Sequence, residues 1–323
     1  MMYLMVLAGF ALLLGGAEFL VRGAVALAKK FGMSPLLIGM TIVAFGTSAP
    51  EFVVSVEAAL TGAPTMALGN VIGSNIANVL LILGAAGLVY PIAMKTMALL
   101  RDGSMLLGGS LLFSVLVWMN ALAFWSGLML LVIYIAFLVY SYWVEVREGD
   151  GAAKVLEQEV AEFHGLPRTP WGMWGAVLAG GFAVAYGAKL LVTGGVDIAR
   201  TFGVSEEVIG LTMIAFGTSL PELATSVVAA MRRHAEVAIG NVVGSNVINI
   251  LGVAGLAALF TPLPATDQLR NFDLWVMLAS TVILVAFLLG GWRFGRAYAV
   301  GFLLAYGSYI ALQAVGVSAL FGV

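Results

Sequence analysis

The sequence predicts an all-α polytopic membrane protein whose ten transmembrane helices form two inverted five-helix repeats. Of its 323 residues, 62% are hydrophobic and only 10% are charged, whereas soluble domains carry about 25% charged residues. The chain divides into ten runs that each supply the ~20 mostly apolar residues needed to cross a bilayer. Its first ninety or so residues also recur, without a gap, 171 positions further along. These observations exclude a soluble globular fold.

The apolar runs predict the spans in order. The first run starts directly after Met1, with no basic segment and no small-residue cleavage site, so we interpret it as a span and not as a removed signal peptide. The expected spans are 3–28, 36–60, 66–89, 104–120, 122–143, 172–199, 208–231, 238–259, 272–292 and 297–321. The expected domains are an N-terminal repeat at 1–143, a linker at 144–171 and a C-terminal repeat at 172–323.

The linker is the only long polar segment, and it is acidic. Two interpretations remain open, namely a loose regulatory calcium site or a solvated linker with one short helix. Its acids are Glu145, Glu148, Asp150, Glu157, Glu159 and Glu162.

The basic residues predict the orientation. Eleven of them fall in loops on the linker's side of the membrane and two fall on the other side. The positive-inside rule therefore predicts a cytoplasmic linker in the cell membrane, with both termini outside. On the linker's side are Lys29, Lys30, Lys95, Arg101, Arg147, Lys154, Arg168, Arg232, Arg233, Arg293 and Arg296, and on the other side are Arg200 and Arg270.

The internal repeat contains two motifs that each occur twice in the chain. Residues 38–52 match 209–223 at ten of fifteen positions, including Gly-Thr-Ser-x-Pro-Glu. Residues 69–80 match 240–251 at eight of twelve positions, including Gly-Asn-Val-x-Gly-Ser-Asn. Because each repeat has five spans, an odd number, the second half lies upside down relative to the first. Inverted repeats with broken helices are typical of alternating-access transporters, whose site lies at mid-membrane.

Two acids lie near the middle of the second and seventh spans. Glu51 and Glu222 have no cation within one helical turn, and an unpaired charge inside a membrane helix costs several kcal/mol. Pro50 lacks a backbone donor, which is expected to free carbonyls near Phe45 and Gly46. An unpaired carboxylate inside the membrane, next to backbone carbonyls that lack hydrogen-bond donors, indicates a cation site.

Other oxygen-bearing side chains share the faces of these acids. Spacings of three and four residues place hydroxyls beside each glutamate, and serine and asparagine four apart share a face in the third and eighth spans. Hard cations such as calcium and sodium take oxygen ligands, whereas zinc and copper prefer nitrogen or sulfur. The chain has no cysteine, and its two histidines fall in predicted loops. The candidate side chains are Thr47, Ser48, Ser74, Asn78, Thr218, Ser219, Ser245 and Asn249.

Each of these residues also has an ordinary structural interpretation. Serine and threonine often bond to a carbonyl one turn back, proline often marks only a kink, and glycines at four-residue spacing often serve close packing. An unpaired acid repeated at symmetric positions favours the ion site. Two carboxylates neutralise one divalent or two monovalent cations, so one site would hold either ion but not both.

The remaining intramembrane charges are not assigned to ion binding. Glu18 and Arg22 are four apart and predict a local ion pair. Lys189 is the repeat counterpart of Glu18, so this position breaks the symmetry. Glu57 and Asp197 lie near the outer surface and are expected to face water.

The segments 36–89 and 207–259 resemble the paired alpha-repeats of the calcium/cation antiporter superfamily, and most of all those of prokaryotic sodium/calcium exchangers. The resemblance implies a ten-helix layout and electrogenic exchange of sodium inward for calcium outward. It implies that calcium lies between Glu51 and Glu222, with backbone oxygens of Thr47 and Thr218. It also implies that the first and sixth spans are a gating pair that slides across the core. For sodium it implies Ser48, Ser74, Ser219, Ser245 and the carbonyls of Ala44 and Ala215.

The third and eighth spans separate the subfamilies. Potassium-dependent members carry an acid where this chain has Asn249, so Asn78 together with Asn249 favours potassium independence. Proton-coupled members tend to carry a glutamate near the Gly-Asn motif, and these segments contain no acid. A proton-coupled or broader divalent-cation antiporter stays as the alternative.

Two other classes fit less well. An intramembrane hydrolase would need a base near Ser48 or Ser219, and no histidine lies near either serine. A passive channel is disfavoured by inverted repeats built on two charged centres. We therefore expect no enzyme activity and no cofactor. The expected partners are calcium ions, sodium ions and the bilayer, with no nucleic acid and no obligate protein partner.

Overall fold

The structure is a computed structural model that describes residues 2–31, 33–94, 97–147, 167, 169–202 and 215–315. These residues form an all-helical fold with one very short sheet. The helices are α1 (Met2–Phe31), α2 (Pro35–Thr47), α3 (Ala49–Leu60), α4 (Pro64–Val89), α5 (Met97–Trp118), α6 (Phe124–Arg147), α7 (Pro170–Thr201), α8 (Ala215–Thr218), α9 (Leu220–Met231), α10 (Ala235–Phe260), α11 (Leu269–Gly290) and α12 (Arg296–Val315). The strands are β1 (Ile92–Ala93) and β2 (Arg293–Phe294).

The predicted membrane fold is confirmed. Within the described ranges, eight helices are long and apolar enough to cross a bilayer, and counting the bent pair α2–α3 as one span gives nine. The predicted seventh span, 208–231, is described only from Ala215 onward, as α8 and α9. The helix of the fourth span, α5, begins at least seven residues before the predicted start at 104, because it is already formed at Met97. The other predicted spans agree with the observed helices to within a few residues wherever the structure describes their ends.

The second span is broken at Ser48, where α2 and α3 meet at an angle of 47°. Ser48 has φ −81° and ψ 6°, and Ser219 between α8 and α9 has nearly the same values, φ −85° and ψ 0°. Pro50 and Pro221 lie in the first turns of α3 and α9. Proline is tolerated there because the N–H groups of the first turn have no intrahelical acceptor, so the N–H that proline lacks is not needed. The prolines therefore fix where each half-helix begins.

Two further irregularities occur at matching places in the repeats. α4 widens to a π-helical turn at Asn78–Ile82, and α10 does so at Ile248–Val253. Additional π-turns lie in α2, at Gly39–Val43, and in α11, at Leu269–Asp273. Such turns are rare and are often found at functional sites.

Helices α1 and α7 pack antiparallel and mainly against each other. Glycines every seven residues line this contact on both helices. A Cβ added to Gly16 would lie 2.8 Å from the backbone nitrogen of Val184, and one added to Gly187 would lie 2.7 Å from that of Leu13. The two backbones approach so closely because these positions lack side chains. The glycines are Gly9, Gly16 and Gly23 on α1 and Gly180, Gly187 and Gly194 on α7.

The centre of the molecule consists of α4 and α10. The apolar stretch of α10 is 89% buried inside the protein and that of α4 is 78% buried, whereas that of α12 is only 11% buried. The half-helices α3 and α9 pack against this pair. The two most buried spans and the two broken helices thus surround one interior region.

Loop contacts agree with the inverted topology. β1 follows the third span and β2 follows the ninth, and they pair antiparallel with Ile92 opposite Phe294. At the other end, the N–H of Leu263 donates to the carbonyl of Leu122 at 2.9 Å, which joins the loops after the fourth and eighth spans. Each pair of loops is expected on one side of the membrane if the spans alternate in direction through both halves.

Candidate cation-binding site

The two predicted glutamates meet in the interior. Glu51 and Glu222 lie in the first turns of α3 and α9, and each is only 1% exposed. The two carboxylates are close enough to repel each other, and within the described residues neither forms an ion pair. Each lies at the positive end of a short helix dipole, which compensates part of the negative charge.

Hydroxyl groups from each half hold the carboxylate of the other half. Ser48 donates a hydrogen bond to Oε1 of Glu222 at 2.8 Å. Thr47 is also within hydrogen-bonding reach of Glu222, and Thr218 is within reach of Glu51. The site is therefore shared across the repeats and is incomplete in either half alone.

Several buried oxygens of this cluster have no hydrogen-bond partner among the described residues. They include Oε2 of Glu51, Oε2 of Glu222, Oγ of Ser74, Oγ of Ser219 and Oδ1 of Asn78. A buried polar atom without a partner costs about 1–3 kcal/mol, and more if it is charged. Carboxylate, hydroxyl and amide oxygens are the ligands of hard cations, so a bound cation fits these atoms.

The predicted asparagines differ in their contacts. Asn78 donates from Nδ2 to Oδ1 of Asn246 at 3.0 Å, across the repeats. Asn249 is fully buried, and neither polar atom of its side chain has a partner in the described part of the chain. Ser245 lies 3.1 Å from the hydroxyl of Ser48.

The two predicted backbone ligands flank the breaks. The carbonyl of Ala44 accepts the N–H of Ser48 at 2.8 Å and lies 3.3 Å from the hydroxyl of Thr47. Ala215 is the first residue of α8, and only its main chain is described. Both positions lie four residues before a broken point, at Ser48 and at Ser219.

Sequence reasoning missed two asparagines next to the site. Thr47 donates to Oδ1 of Asn241 at 3.1 Å, and Thr218 lies 3.4 Å from Oδ1 of Asn70. Each asparagine thus holds the threonine of the opposite half. The signal was present, because both belong to the repeated Gly-Asn motif at a spacing of 171.

The amide groups of these asparagines are anchored in turn. Asn241 donates from Nδ2 to Ser226 at 2.9 Å, and Asn70 donates to Ser55 at 3.0 Å. Ser226 and Ser55 are also repeat counterparts. The same bracing therefore occurs in both halves, between α4 and α3 and between α10 and α9.

Two buried aspartates lie outside this cluster and were also missed. Asp273 in α11 accepts hydrogen bonds from Tyr309 at 2.9 Å and from Gln313. Its repeat counterpart, Asp102 in α5, pairs with Arg101 at 2.7 Å. They are separated by 171 residues, the same spacing as the motifs of the internal repeat.

Among the peripheral charges, the predicted pair of Glu18 and Arg22 is confirmed at 2.6 Å, and Arg232 joins it at 2.6 Å. His234, in the loop after α9, is buried, and burial together with the positive charge of Arg232 lowers its pKa to about 4. Asp197 lies 3.9 Å from Arg200 and remains exposed.

The membrane-spanning helices and their buried cluster of oxygen atoms are typical of α-helical membrane transporters of cations. A family model described as "Sodium/calcium exchanger protein" matches residues 1–143 and 172–315, and the chain belongs to this family of ion exchangers.

Known proteins agree with this assignment over nearly the whole chain. The chain is 39% identical to the putative antiporter CaxA of Alkalimonas amylolytica, over 87% of each chain. It is 33% identical to the sodium/calcium exchanger MaX1 of Methanosarcina acetivorans, over 96% of this chain and 97% of that protein. A solved structure of the sodium-calcium exchanger NCX_Mj superposes with a TM-score of 0.83 at 30% identity, over 96% of this chain and 97% of the other.

Proposed function

We propose that this protein is a sodium/calcium antiporter that works by alternating access at one mid-membrane site shared by Glu51 and Glu222. The observation that carries the proposal is the pair of buried carboxylates, each with one oxygen that has no partner among the described residues. Two buried negative charges without a counter-charge are strongly unfavourable, and a bound cation removes the penalty.

The proposed ligands follow the resemblance given by the motifs. Calcium lies between Glu51 and Glu222 and takes backbone oxygens of Thr47 and Thr218. The neutral amides of Asn78 and Asn249 favour a site without potassium. Sodium uses the hydroxyls of Ser48, Ser74, Ser219 and Ser245 and the carbonyls of Ala44 and Ala215.

Charge balance explains why such a site exchanges its ions. Two carboxylates neutralise one calcium ion or two sodium ions, so each cargo excludes the other. Sodium moving inward then drives calcium outward, and transport is electrogenic when the sodium charge exceeds the calcium charge. The names of the relatives MaX1 and NCX_Mj support this pair of ions.

The proposed setting is the cell membrane, with the halves 1–143 and 172–323 on either side of a cytoplasmic linker at 144–171 and both termini outside. The support is the uneven distribution of lysine and arginine between the loops. Most of the acids of the linker fall outside the described residues, so the regulatory calcium site and the solvated linker both remain predictions.

A proton-coupled or broader divalent-cation antiporter is the second candidate. One observation favours it: the two carboxylates have no fixed counter-charge among the described residues, so protons are another way to neutralise them. The name of the relative CaxA, a putative antiporter, also specifies no ion.

Calcium uptake into liposomes tests the proposal. Purified protein is reconstituted into sodium-loaded vesicles, which are diluted into calcium without sodium while ionophores clamp the pH gradient. We expect uptake that stops when the sodium gradient is collapsed and that rises at interior-positive voltage. No sodium-driven uptake would reject the proposal, and uptake driven by a pH gradient alone would select the second candidate.

A further inference from the structure

Charged side chains join α1 to the core at one end of the molecule. The carboxylate of Glu18 on α1 accepts a hydrogen bond from Nε of Arg22 at 2.6 Å. It also contacts two nitrogens of the Arg232 guanidinium, at 2.6 and 2.9 Å. Arg232 directly follows α9, the half-helix that carries Glu222. The side chain of Arg232 is 49% exposed, so this ion pair is weak enough to break and re-form.

The repeat relation places opposite charges at the other end. A shift of 171 residues makes Lys189 the counterpart of Glu18 and Thr61 the counterpart of Arg232. Glu57 lies one helical turn before Thr61, near the end of α3. Here the base is on the long helix α7 and the acid is on the half-helix. In the described ranges, neither Lys189 nor Glu57 forms an ion pair, and both are exposed.

Helix packing shows the same asymmetry. α1 packs along α9, whereas the equivalent helices α7 and α3 make at most a marginal contact. In the described state, α1 is therefore packed against the core at the end where Arg232 lies, and α7 is not packed against the core in the same way at the other end. When inverted repeats exchange their conformations, α7 packs along α3 as α1 now packs along α9. Lys189 then arrives beside Thr61, with Glu57 only about 6 Å away along the helix axis, within reach of the long lysine side chain.

We infer that these four residues form two alternating ion-pair latches. The pair Glu18–Arg232 stabilises the described state, and the pair Lys189–Glu57 replaces it in the opposite state. The inference rests on the proposed alternating-access function. The latches act on the populations of the two states and do not touch the transported ions.

Cross-linking tests the second latch directly, because the chain contains no cysteine. Thr61 and Thr193 are the counterparts of Arg232 and Arg22, which both contact Glu18 in the described state. Cysteines at Thr61 and Thr193 therefore report the opposite state and leave all four latch residues in place. A short bifunctional thiol reagent is applied to the full-length protein in liposomes.

We expect the Thr61→Cys/Thr193→Cys pair to cross-link during exchange. Adding Lys189→Met or Glu57→Gln should lower the cross-linking yield roughly two- to fivefold, and adding Arg232→Gln should raise the yield by a similar factor. The effects are of this size because partly exposed ion pairs contribute little free energy. Reversing both charges, with Glu57→Lys and Lys189→Glu, restores the yield.

The matched control is Lys30→Met, which removes an exposed cation at the end of α1 and leaves the yield unchanged. A yield that does not respond to Lys189→Met, or a double reversal that fails to restore it, overturns the inference. So does the absence of any cross-link in liposomes that exchange ions. If the cross-link responds as expected but the protein shows no sodium-driven calcium uptake, the proposed transported ions are rejected and the latch inference is supported.

Discussion

The two broken helices have the same backbone but different hydrogen bonds. Ser48 and Ser219 differ by only a few degrees in φ and ψ. The hydroxyl of Ser48 donates to Glu222 and lies 3.1 Å from Ser245, whereas that of Ser219 has no partner in the part of the chain that the structure describes. Because the sequence around both serines is Gly-Thr-Ser-x-Pro-Glu, local sequence does not cause this difference.

The cause is how the halves pack in this state. Asn78 bonds to Asn246 across the repeats, whereas Asn249 finds no partner among the described residues. α1 lies along α9, and α7 stands away from α3. The comparison teaches that the repeats encode equivalent parts, and that one conformation uses them unequally.

The largest expected effect is loss of either central charge. Glu51→Gln and Glu222→Gln keep the side-chain shape but remove one of two charges from a buried site. We expect calcium uptake to fall roughly a hundredfold or more in each variant, since removing one partner of a buried ionic cluster costs on the order of 3 kcal/mol. Uptake is measured in liposomes with equal amounts of folded protein, verified by gel filtration.

This experiment decides whether the asymmetric hydrogen bonds matter for binding. If Ser48 already satisfied Glu222, Glu222→Gln would be much milder than Glu51→Gln. Equal losses mean that both carboxylates bind the cation. Asp197→Asn removes an exposed acid on α7 and serves as the control, with uptake near that of the unmodified protein.

Most of the fold was predictable because each span is determined by its own residues. A run of about 20 apolar residues is helical wherever it crosses the bilayer, and Pro50 and Pro221 mark where the half-helices start. The π-turn at Asn78–Ile82 and the pairing of Ile92 with Phe294 were not predicted. Both depend on how remote elements pack, which no local pattern records.

The candidate site was predictable as a set of residues but not as a network. Repetition identified Glu51 and Glu222, because an unpaired membrane charge that occurs twice is hard to explain otherwise. The contacts of Thr47 with Asn241 and of Glu18 with Arg232 join residues about two hundred positions apart. Such pairings follow from the inverted packing and require coordinates.

The second effect contrasts His234 with its repeat counterpart, Ala63. Burial and Arg232 lower the pKa of His234 from 6.5 to about 4, with Glu18 acting in the opposite direction. Between these values the unfolded chain binds the proton and the folded protein does not, so stability falls as the pH is lowered from 6.5 to 4. The loss attributable to this group is at most about 3 kcal/mol.

Thermal unfolding in detergent between pH 8 and pH 4 measures this loss. His234→Ala copies the residue of the first half, and its melting temperature should decline less steeply below pH 6.5. Both proteins should respond alike above pH 7, where the histidine is neutral in either state. Parallel declines over the acid range would contradict the assignment.

The third effect concerns the matched glycines of α1 and α7. Gly16→Ala and Gly187→Ala each place a Cβ within 2.8 Å of the opposite backbone, which cannot move as a side chain does. We expect each to destabilise the protein by about 1–3 kcal/mol, as overpacking does. The controls are Gly15→Ala and Gly181→Ala, where nothing lies within 4 Å of the added carbon. Their melting temperatures should equal that of the unmodified protein or lie slightly above it. Equal effects of both pairs would show that the helices are not in close contact.

The smallest effect compares the two asparagines that hold the threonines. Asn241 is fully buried and bonds to Thr47 at 3.1 Å, whereas Asn70 is half-buried and lies 3.4 Å from Thr218. Removing a buried partner costs about 1–3 kcal/mol, so Asn241→Ala should weaken the apparent calcium affinity roughly tenfold and Asn70→Ala roughly threefold. Calcium titration of sodium-driven uptake measures both. Because the inequality arises from the described state, Arg232→Gln, which removes the Glu18–Arg232 pair and favours the opposite state, should bring the two affinities closer together. An unchanged ratio would mean that the asymmetry is fixed in the sequence.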